Sequence, residues 1–86
     1  MPLRLHPEVA STETDDGAVL LHQRTGRYWQ LNTTGARVLR DLLDGYEHEG
    51  IAWHLATEHH IDHERAYRDV TAVIEQLRAA KLVETS

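Results

Sequence analysis

Histidine and carboxylate side chains crowd the segment from His54 to Glu64, where they could together hold a divalent metal ion. The segment contains His54, His59, His60 and His63, with Glu58, Asp62 and Glu64 beside them. A zinc pair on one helix needs two ligands four residues apart on the same face. His59 and His63 have this spacing, but Asp62 is a typical helix-capping residue and predicts a helix break between them. We therefore interpret the histidines as solvated residues at a turn between helices, with a zinc site as the alternative.

Catalytic arrangements are no better supported by the sequence. Ser11 and Thr12 have no identifiable base near them, and the chain has no cysteine. The carboxylate pairs Asp15-Asp16 and Asp41 with Asp44 fall where a turn and a helix surface are predicted, so we do not interpret them as an acid–base dyad. We expect a protein that is not an enzyme and that uses no cofactor and no metal.

Length and composition limit the remaining classes of function. A chain of 86 residues buries only a little over ~60% of the surface that its unfolded form exposes, which leaves no room for a deep cleft. The absence of cysteine excludes disulfides and fits a reducing compartment. The N-terminus has no apolar signal region, and no segment approaches the ~20 apolar residues of a spanning helix. We expect one cytoplasmic domain over residues 1–86, with no membrane partner.

The charge balance argues against nucleic acid as the main partner. The formal net charge is −5, Lys81 is the only lysine, and the eight arginines are scattered. Because Lys and Arg contacts to phosphates supply most non-specific affinity for nucleic acid, an acidic chain without a basic run is a poor candidate.

The first third of the chain predicts a three-stranded antiparallel sheet. Strands are expected over residues 9–14, 18–22 and 27–31, and the two turns between them end in Gly17 and Gly26. The apolar run from Val19 to Leu21 favours a central position for the second strand, or cover on both of its faces. The third strand is then an edge, with unpaired N–H and C=O groups.

The rest of the chain predicts three helices, over residues 33–44, 51–59 and 63–80. Asn32 or Thr33 is expected to cap the first helix and Asp62 the third. In the short second helix Ile51 and Leu55 are expected to be buried, and Trp53 is a further candidate for burial. The fold class is therefore α+β, in the order of a winged helix-turn-helix domain, with a three-stranded sheet followed by a three-helix bundle. Such domains often bind DNA through the third helix, but this helix has almost no net positive face.

The third helix has more apolar surface than core packing requires. Val70, Ile74 and Leu77 form the core stripe at helical spacing. Tyr67 and Lys81 are expected on one shoulder of this stripe. The other shoulder carries small apolar side chains with a polar margin beyond them: Ala66, Val73, Ala80, Asp69 and Gln76. This second shoulder could line a groove.

Two faces are available to the side chains of the third strand. Tyr28 and Trp29 could stack on nucleobases, but that use normally needs a cationic groove. Strand alternation instead sends Trp29 and Leu31 to one face and Tyr28 and Gln30 to the other. Because Leu31 directly precedes the helix cap, we expect Trp29 and Leu31 to face the core and Tyr28 and Gln30 to be exposed.

The order and spacing of several short motifs resemble the PqqD-like family, whose members are also called RiPP recognition elements. The motifs are Gly17-Ala18-Val19-Leu20-Leu21, Thr25 to Asn32, Gly35-Ala36-Arg37-Val38-Leu39 and Leu42-Leu43-Asp44-Gly45. Asp69-Val70, Leu77 and Leu82-Val83 extend the resemblance more weakly towards the C-terminus. The resemblance covers nearly the whole chain.

The resemblance implies a leader-peptide-binding adaptor that performs no chemistry itself. In the family, the leader region of a ribosomally made precursor peptide adds as a strand to the third strand and lies against the third helix. The implied site then comprises Arg27, Tyr28, Trp29, Gln30, Leu31, Ala66, Asp69, Val73 and Gln76. A lasso-peptide system with a separate leader peptidase is the favoured context. A pyrroloquinoline quinone pathway chaperone that serves a radical enzyme is the alternative, and a winged-helix DNA-binding module is the alternative from another class.

Overall fold

The described part of the chain begins and ends with a short strand. A three-stranded antiparallel sheet and then three helices lie between these two strands. A computed structural model describes residues 3–85. Its elements are β1 (Leu3–Leu5), β2 (Val9–Thr14), β3 (Gly17–His22), β4 (Tyr28–Leu31), α1 (Thr33–Leu43), α2 (His48–His59), α3 (His63–Ala79) and β5 (Val83–Thr85). The predicted α+β class is confirmed, with three helices and antiparallel strands.

β2, β3 and β4 form one antiparallel sheet in that order. β3 pairs along its whole length with β2, and β4 pairs only with β3, so that Leu20 lies between Ser11 and Trp29. The prediction that the second predicted strand is central and the third is an edge is confirmed for the described residues.

A second sheet, of β1 and β5, is absent from the prediction. Leu3 pairs with Thr85 and Leu5 with Val83, and Arg4 lies 3.4 Å from the Glu84 carboxylate. Strands of three residues are too short to show alternation in the sequence. Leu3 and Leu5 are partly buried and pack against the core. Leu82 and Val83, at the start of this second sheet, are both buried in the core.

α1 begins directly after β4 because Asn32 caps it. The Asn32 Oδ1 accepts a hydrogen bond from the Gly35 N–H at 2.8 Å, which satisfies one of the free N–H groups of the first turn. Asn32 has extended backbone geometry, so the chain passes from edge strand to helix within one residue. This junction fixes β4 relative to the helices.

The predicted start of α2 at residue 51 is wrong, since the helix begins at His48. The Ile51 N–H donates to the Glu47 carbonyl at 3.0 Å, and Gly50 lies inside the first turns. His48 explains the extension, because its Nε2 lies 2.9 Å from the Thr71 Oγ1 and its ring stacks on Tyr67. These contacts with α3 outweigh the low helix propensity of Gly50.

The core lies between the sheet and the three helices. Val70, Ile74 and Leu77 of α3 are all buried, as predicted from the core stripe. On α2, Ile51 and Leu55 are buried with Ala52, but Trp53 is 63% exposed. The buried residues Ile51, Ala52 and Leu55 span about 100° of the helix circumference, and Trp53 is turned away because it lies about 100° beyond Ala52. No helix within residues 3–85 combines the length and the apolar character needed to cross a membrane.

Candidate functional site

The edge strand β4 exposes one face of alternating side chains and buries the other. Tyr28 is 71% exposed and Leu31 only 7%. Gln30 is also exposed, and Trp29 is half-buried against the core. The predicted orientation of the four side chains is confirmed. Trp29 therefore faces the helices, whereas Tyr28 lies on the outer face of the sheet.

The backbone of β4 offers hydrogen-bonding groups on its outer side. The His22 N–H donates to the Arg27 carbonyl at 2.9 Å, which makes these two residues a hydrogen-bonded pair. In an antiparallel ladder such pairs alternate with non-bonded pairs, so Trp29 and Leu31 also bond to β3. The N–H and C=O groups of Tyr28 and Gln30 point the other way. Within residues 3–85 no strand pairs with that side of β4.

A cavity of about 390 Å³ separates β4 from the C-terminal end of α3. Its wall is formed by His22, Thr25, Arg27, Trp29, Ala79, Ala80 and Lys81. The Arg27 guanidinium lies 5.3 Å from the centre of the Trp29 ring, as a cation–π contact. The cavity thus combines an aromatic surface, two small side chains and two cations.

One face of α3 extends from this cavity along the helix. Asp69, Val73, Gln76 and Ala80 recur at intervals of four, three and four residues, which places them in one narrow sector of the helix. Because Ala80 lines the cavity with Trp29, this sector lies on the β4 side of α3. Val73 and Ala80 are half-buried against the core, whereas Asp69 and Gln76 are exposed. We call this arrangement the β4–α3 groove.

Family comparison agrees with this architecture. The sequence profile described as coenzyme PQQ synthesis protein D (PqqD) matches residues 17–83. The chain belongs to the PqqD family. No curated protein sequence matches it significantly.

Two solved structures match this PqqD-family chain over almost its whole length. A protein described as "Lasso peptide synthetase B1 complexed with the leader peptide" is 36% identical, with a TM-score of 0.92 and coverage of 99% of this chain and 100% of that one. A second, "TbiB1 in Complex with the TbiA(beta) Leader Peptide", is 30% identical, with a TM-score of 0.86 and 96% coverage of each chain.

The prediction that Ala66 lines the groove of this PqqD-family chain is wrong. Its side chain is 0% exposed and belongs to the core, because the core side of α3 is wider than the stripe of Val70, Ile74 and Leu77. The prediction for Lys81 is also wrong. α3 ends at Ala79, so the helical projection that put Lys81 beside Tyr67 does not extend to it, and Lys81 lines the cavity instead.

The residues at the two ends of the cavity were not predicted from the sequence. His22 and Ala79 belong to no motif, Thr25 was not among the predicted site residues, and only the fold brings the β3–β4 turn beside the end of α3. One signal was present in the sequence: Lys81 is the only lysine of an acidic chain and directly follows the predicted third helix.

Two histidines of the segment from His54 to Glu64 contact side chains outside that histidine cluster or at its margin. His63 lies 5.5 Å from the Trp53 ring and 4.0 Å from the Glu49 carboxylate, and His54 lies 3.3 Å from Asp41. Among residues 3–85 no group of three or more His, Asp or Glu residues could hold a metal ion.

The expectation that Asp41 is a helix-surface group is wrong. Asp41 is the buried charged residue of the described chain, at 5% exposure. Its carboxylate lies 3.5 Å from Arg37 on α1 and 3.3 Å from His54 on α2, and Arg37 also pairs with Glu58 at 2.6 Å. This network joins α1 to α2, so Asp41 has a structural explanation.

Proposed function

We propose that this chain binds the leader region of a ribosomally synthesised precursor peptide by β-strand addition to β4 beside α3. The observation that carries the proposal is the free outer edge of β4 next to the β4–α3 groove. Extended peptides bind such edges through main-chain hydrogen bonds, and side-chain pockets supply sequence preference. The two similar structures, both described as complexes with leader peptides, support the same function.

In the proposed complex, the backbone of β4 binds the backbone of the peptide, and side chains of the groove bind its side chains. Tyr28 and Gln30 each offer one outward N–H and one outward C=O, which pair with a bound strand whatever its sequence. Alternate side chains of that strand enter the β4–α3 groove, where Trp29 and Val73 provide apolar surface. The remaining side chains lie beside Tyr28 on the outer face. Of the predicted site, Arg27, Trp29, Val73, Asp69 and Gln76 then contact side chains.

We further propose that the protein is a non-catalytic adaptor for a separate maturation enzyme, the leader peptidase of a lasso-peptide pathway. Holding the precursor near that enzyme raises its effective concentration, to the millimolar range for short flexible connections. The description of the first similar structure as a lasso peptide synthetase B1 favours this pathway. The family description favours the alternative, a peptide chaperone of coenzyme PQQ synthesis.

A winged helix-turn-helix DNA-binding module is the alternative from another class. The order of a sheet and three helices supports it. The exposed surface of α3 opposes it, since Asp69 and Glu75 lie among its arginines.

Fluorescence anisotropy with a labelled leader peptide, encoded by a precursor gene beside that of this protein, tests the proposed function. The decisive variant is Gln30→Pro, because proline removes the outward N–H and places its ring where the peptide backbone would lie. Proline is tolerated on an edge strand when the lost N–H faces outward. Loss of one hydrogen bond costs about 1 kcal/mol, so we expect at least roughly five-fold weaker binding.

The matched control is Gln30→Ala, which removes the side chain but keeps the backbone N–H. It should bind within about two-fold of the unchanged protein, since an exposed side chain contributes little. Thermal melting of both variants verifies folding. Absence of leader binding by the unchanged protein would refute the proposed function. Equal binding by both variants would refute strand addition to β4.

A further inference from the structure

Two cations meet in the cavity at the end of the β4–α3 groove without an opposing carboxylate. Arg27 and Lys81 both line it, and no Asp or Glu does. Among the described residues Arg4, Arg24, Arg37 and Arg40 each lie within 4.0 Å of a carboxylate. Neither Arg27 nor Lys81 forms a described salt bridge, as is also true of Arg65, Arg68 and Arg78 on α3.

The fold holds both cations in place at the cavity. The Arg27 guanidinium lies over the Trp29 ring, and the Arg27 backbone is fixed by its bond from His22. Lys81 has a φ of 60° directly after α3, and its N–H donates to the Arg78 carbonyl at 3.0 Å. This left-handed turn directs the chain away from the helix axis and into β5, while Lys81 itself lines the cavity.

The rest of the wall suits a short aliphatic stem better than a bulky group. Ala79 and Ala80 are small, and Trp29 provides a flat apolar surface. The His22 Nδ1 is buried and has no hydrogen-bond partner among residues 3–85. The cavity therefore offers apolar surface for methylene groups, with cationic and polar groups at its rim.

We propose that this cavity selects an acidic side chain, Asp or Glu, of the bound peptide. The methylene groups lie against Trp29 and Ala80, and the carboxylate pairs with Arg27 and Lys81. Arg27 directly precedes β4, so the acidic residue occupies the part of the peptide that runs past Tyr28 towards the β3–β4 turn. The proposal rests on the proposed function, since it specifies the peptide sequence that this groove prefers.

A displayed library of random 16-residue peptides tests the proposal with no assumption about the sequence of the natural peptide. Selection on the unchanged protein should enrich Asp or Glu at one position of the recovered motif. In a recovered peptide, changing that residue to Gln or Asn should weaken binding roughly five- to twenty-fold, from two partly exposed ion pairs of about two- to five-fold each. Selection on Arg27→Glu/Lys81→Glu should enrich Lys or Arg there.

The matched control is Arg68→Glu/Arg78→Glu, which makes the same change in net charge on the far side of α3. It should retain the acidic preference. If the charge-reversed variant is unfolded by circular dichroism, Arg27→Gln/Lys81→Gln replaces it and should lose the preference.

The outcomes separate this proposal from the proposed function. Enriched peptides without an acidic preference, or a preference that survives in the charge-reversed or neutral variant, would overturn the cavity proposal alone. Loss of the preference in the far-side control would also overturn it, because net charge would then explain the selection. A library from which no peptide is enriched would overturn both proposals.

Discussion

At Gly17 the chain passes directly beneath the end of β4. Gly17 has a φ of +146°, which only glycine adopts readily, and a Cβ there would lie 1.9 Å from the Leu31 carbonyl oxygen. Because that atom belongs to the backbone of a paired strand, it cannot move cheaply. We expect Gly17→Ala to lower the free energy of unfolding by roughly 3 kcal/mol, measured by urea denaturation and tryptophan fluorescence.

Gly26→Ala is the control for this residue. Gly26 has a φ of +75°, but a Cβ there meets nothing within 4 Å, so we expect only the conformational cost of about 1 kcal/mol. Equal losses in the two variants would show that the close approach to β4 contributes nothing. The sequence predicted both turn glycines, but only the fold distinguishes their environments, since the contact joins residues distant in sequence.

Within α3, core and groove share one helix but occupy different sectors of it. Val73 lies on the groove side and is half-buried, whereas Arg78 is exposed on the far side of the helix. We expect Val73→Glu to weaken leader binding at least about ten-fold, since it replaces apolar contact with an unpaired charge. Its melting temperature should fall by only a few degrees, because the Val73 side chain still reaches solvent.

Arg78→Gln makes the same change in net charge on the far side of α3 and should leave both binding and melting temperature nearly unchanged. Anisotropy and thermal melting on the same preparations check both variants. Unfolding of Val73→Glu would refute the division of α3 into core and groove, and equal binding by the two variants would refute the groove.

The boundaries of helices were predicted correctly where a local sequence signal sets them. They were predicted wrongly where contacts between distant residues set them. The sequence predicted Asn32 or Thr33 as the cap of α1, and Asn32 makes the cap with a residue three positions away. The start of α2 depends on His48 reaching Thr71 across the bundle, which no local pattern contains. The same reason explains Ala66, which has the size of a groove residue but lies in the sector that packs on the core.

Charge is unevenly distributed over the whole molecule. Seven carboxylates and no Lys or Arg lie between Asp41 and Glu64, whereas the rest of the chain has nine basic and seven acidic residues. The basic groups of the cavity therefore lie outside the acidic part of the sequence. This segregation was visible in the sequence, but the meeting of Arg27 with Lys81 was not, since it depends on how the sheet packs against α3.

This distribution predicts a shallow salt dependence of peptide binding. Affinity is expected to come mainly from the β4 backbone and apolar contacts, with two cations adding a salt-sensitive part. A DNA-binding module making six or more phosphate contacts would instead lose roughly 10³-fold or more in affinity between 50 and 200 mM salt. We expect leader binding to weaken less than about ten-fold over the same range, because screening acts on only two exposed pairs.

Anisotropy titrations with the leader peptide and with a duplex DNA of the same label, at 50, 100 and 200 mM NaCl, check this prediction. Arg27→Gln/Lys81→Gln should flatten the peptide curve further, since it removes the charges that salt screens. A steep salt dependence with duplex DNA, together with no peptide binding, would support the winged-helix alternative. A peptide curve as steep as that of a DNA-binding module would instead show that charge dominates recognition, and the β4 edge would lose its place as the main source of affinity.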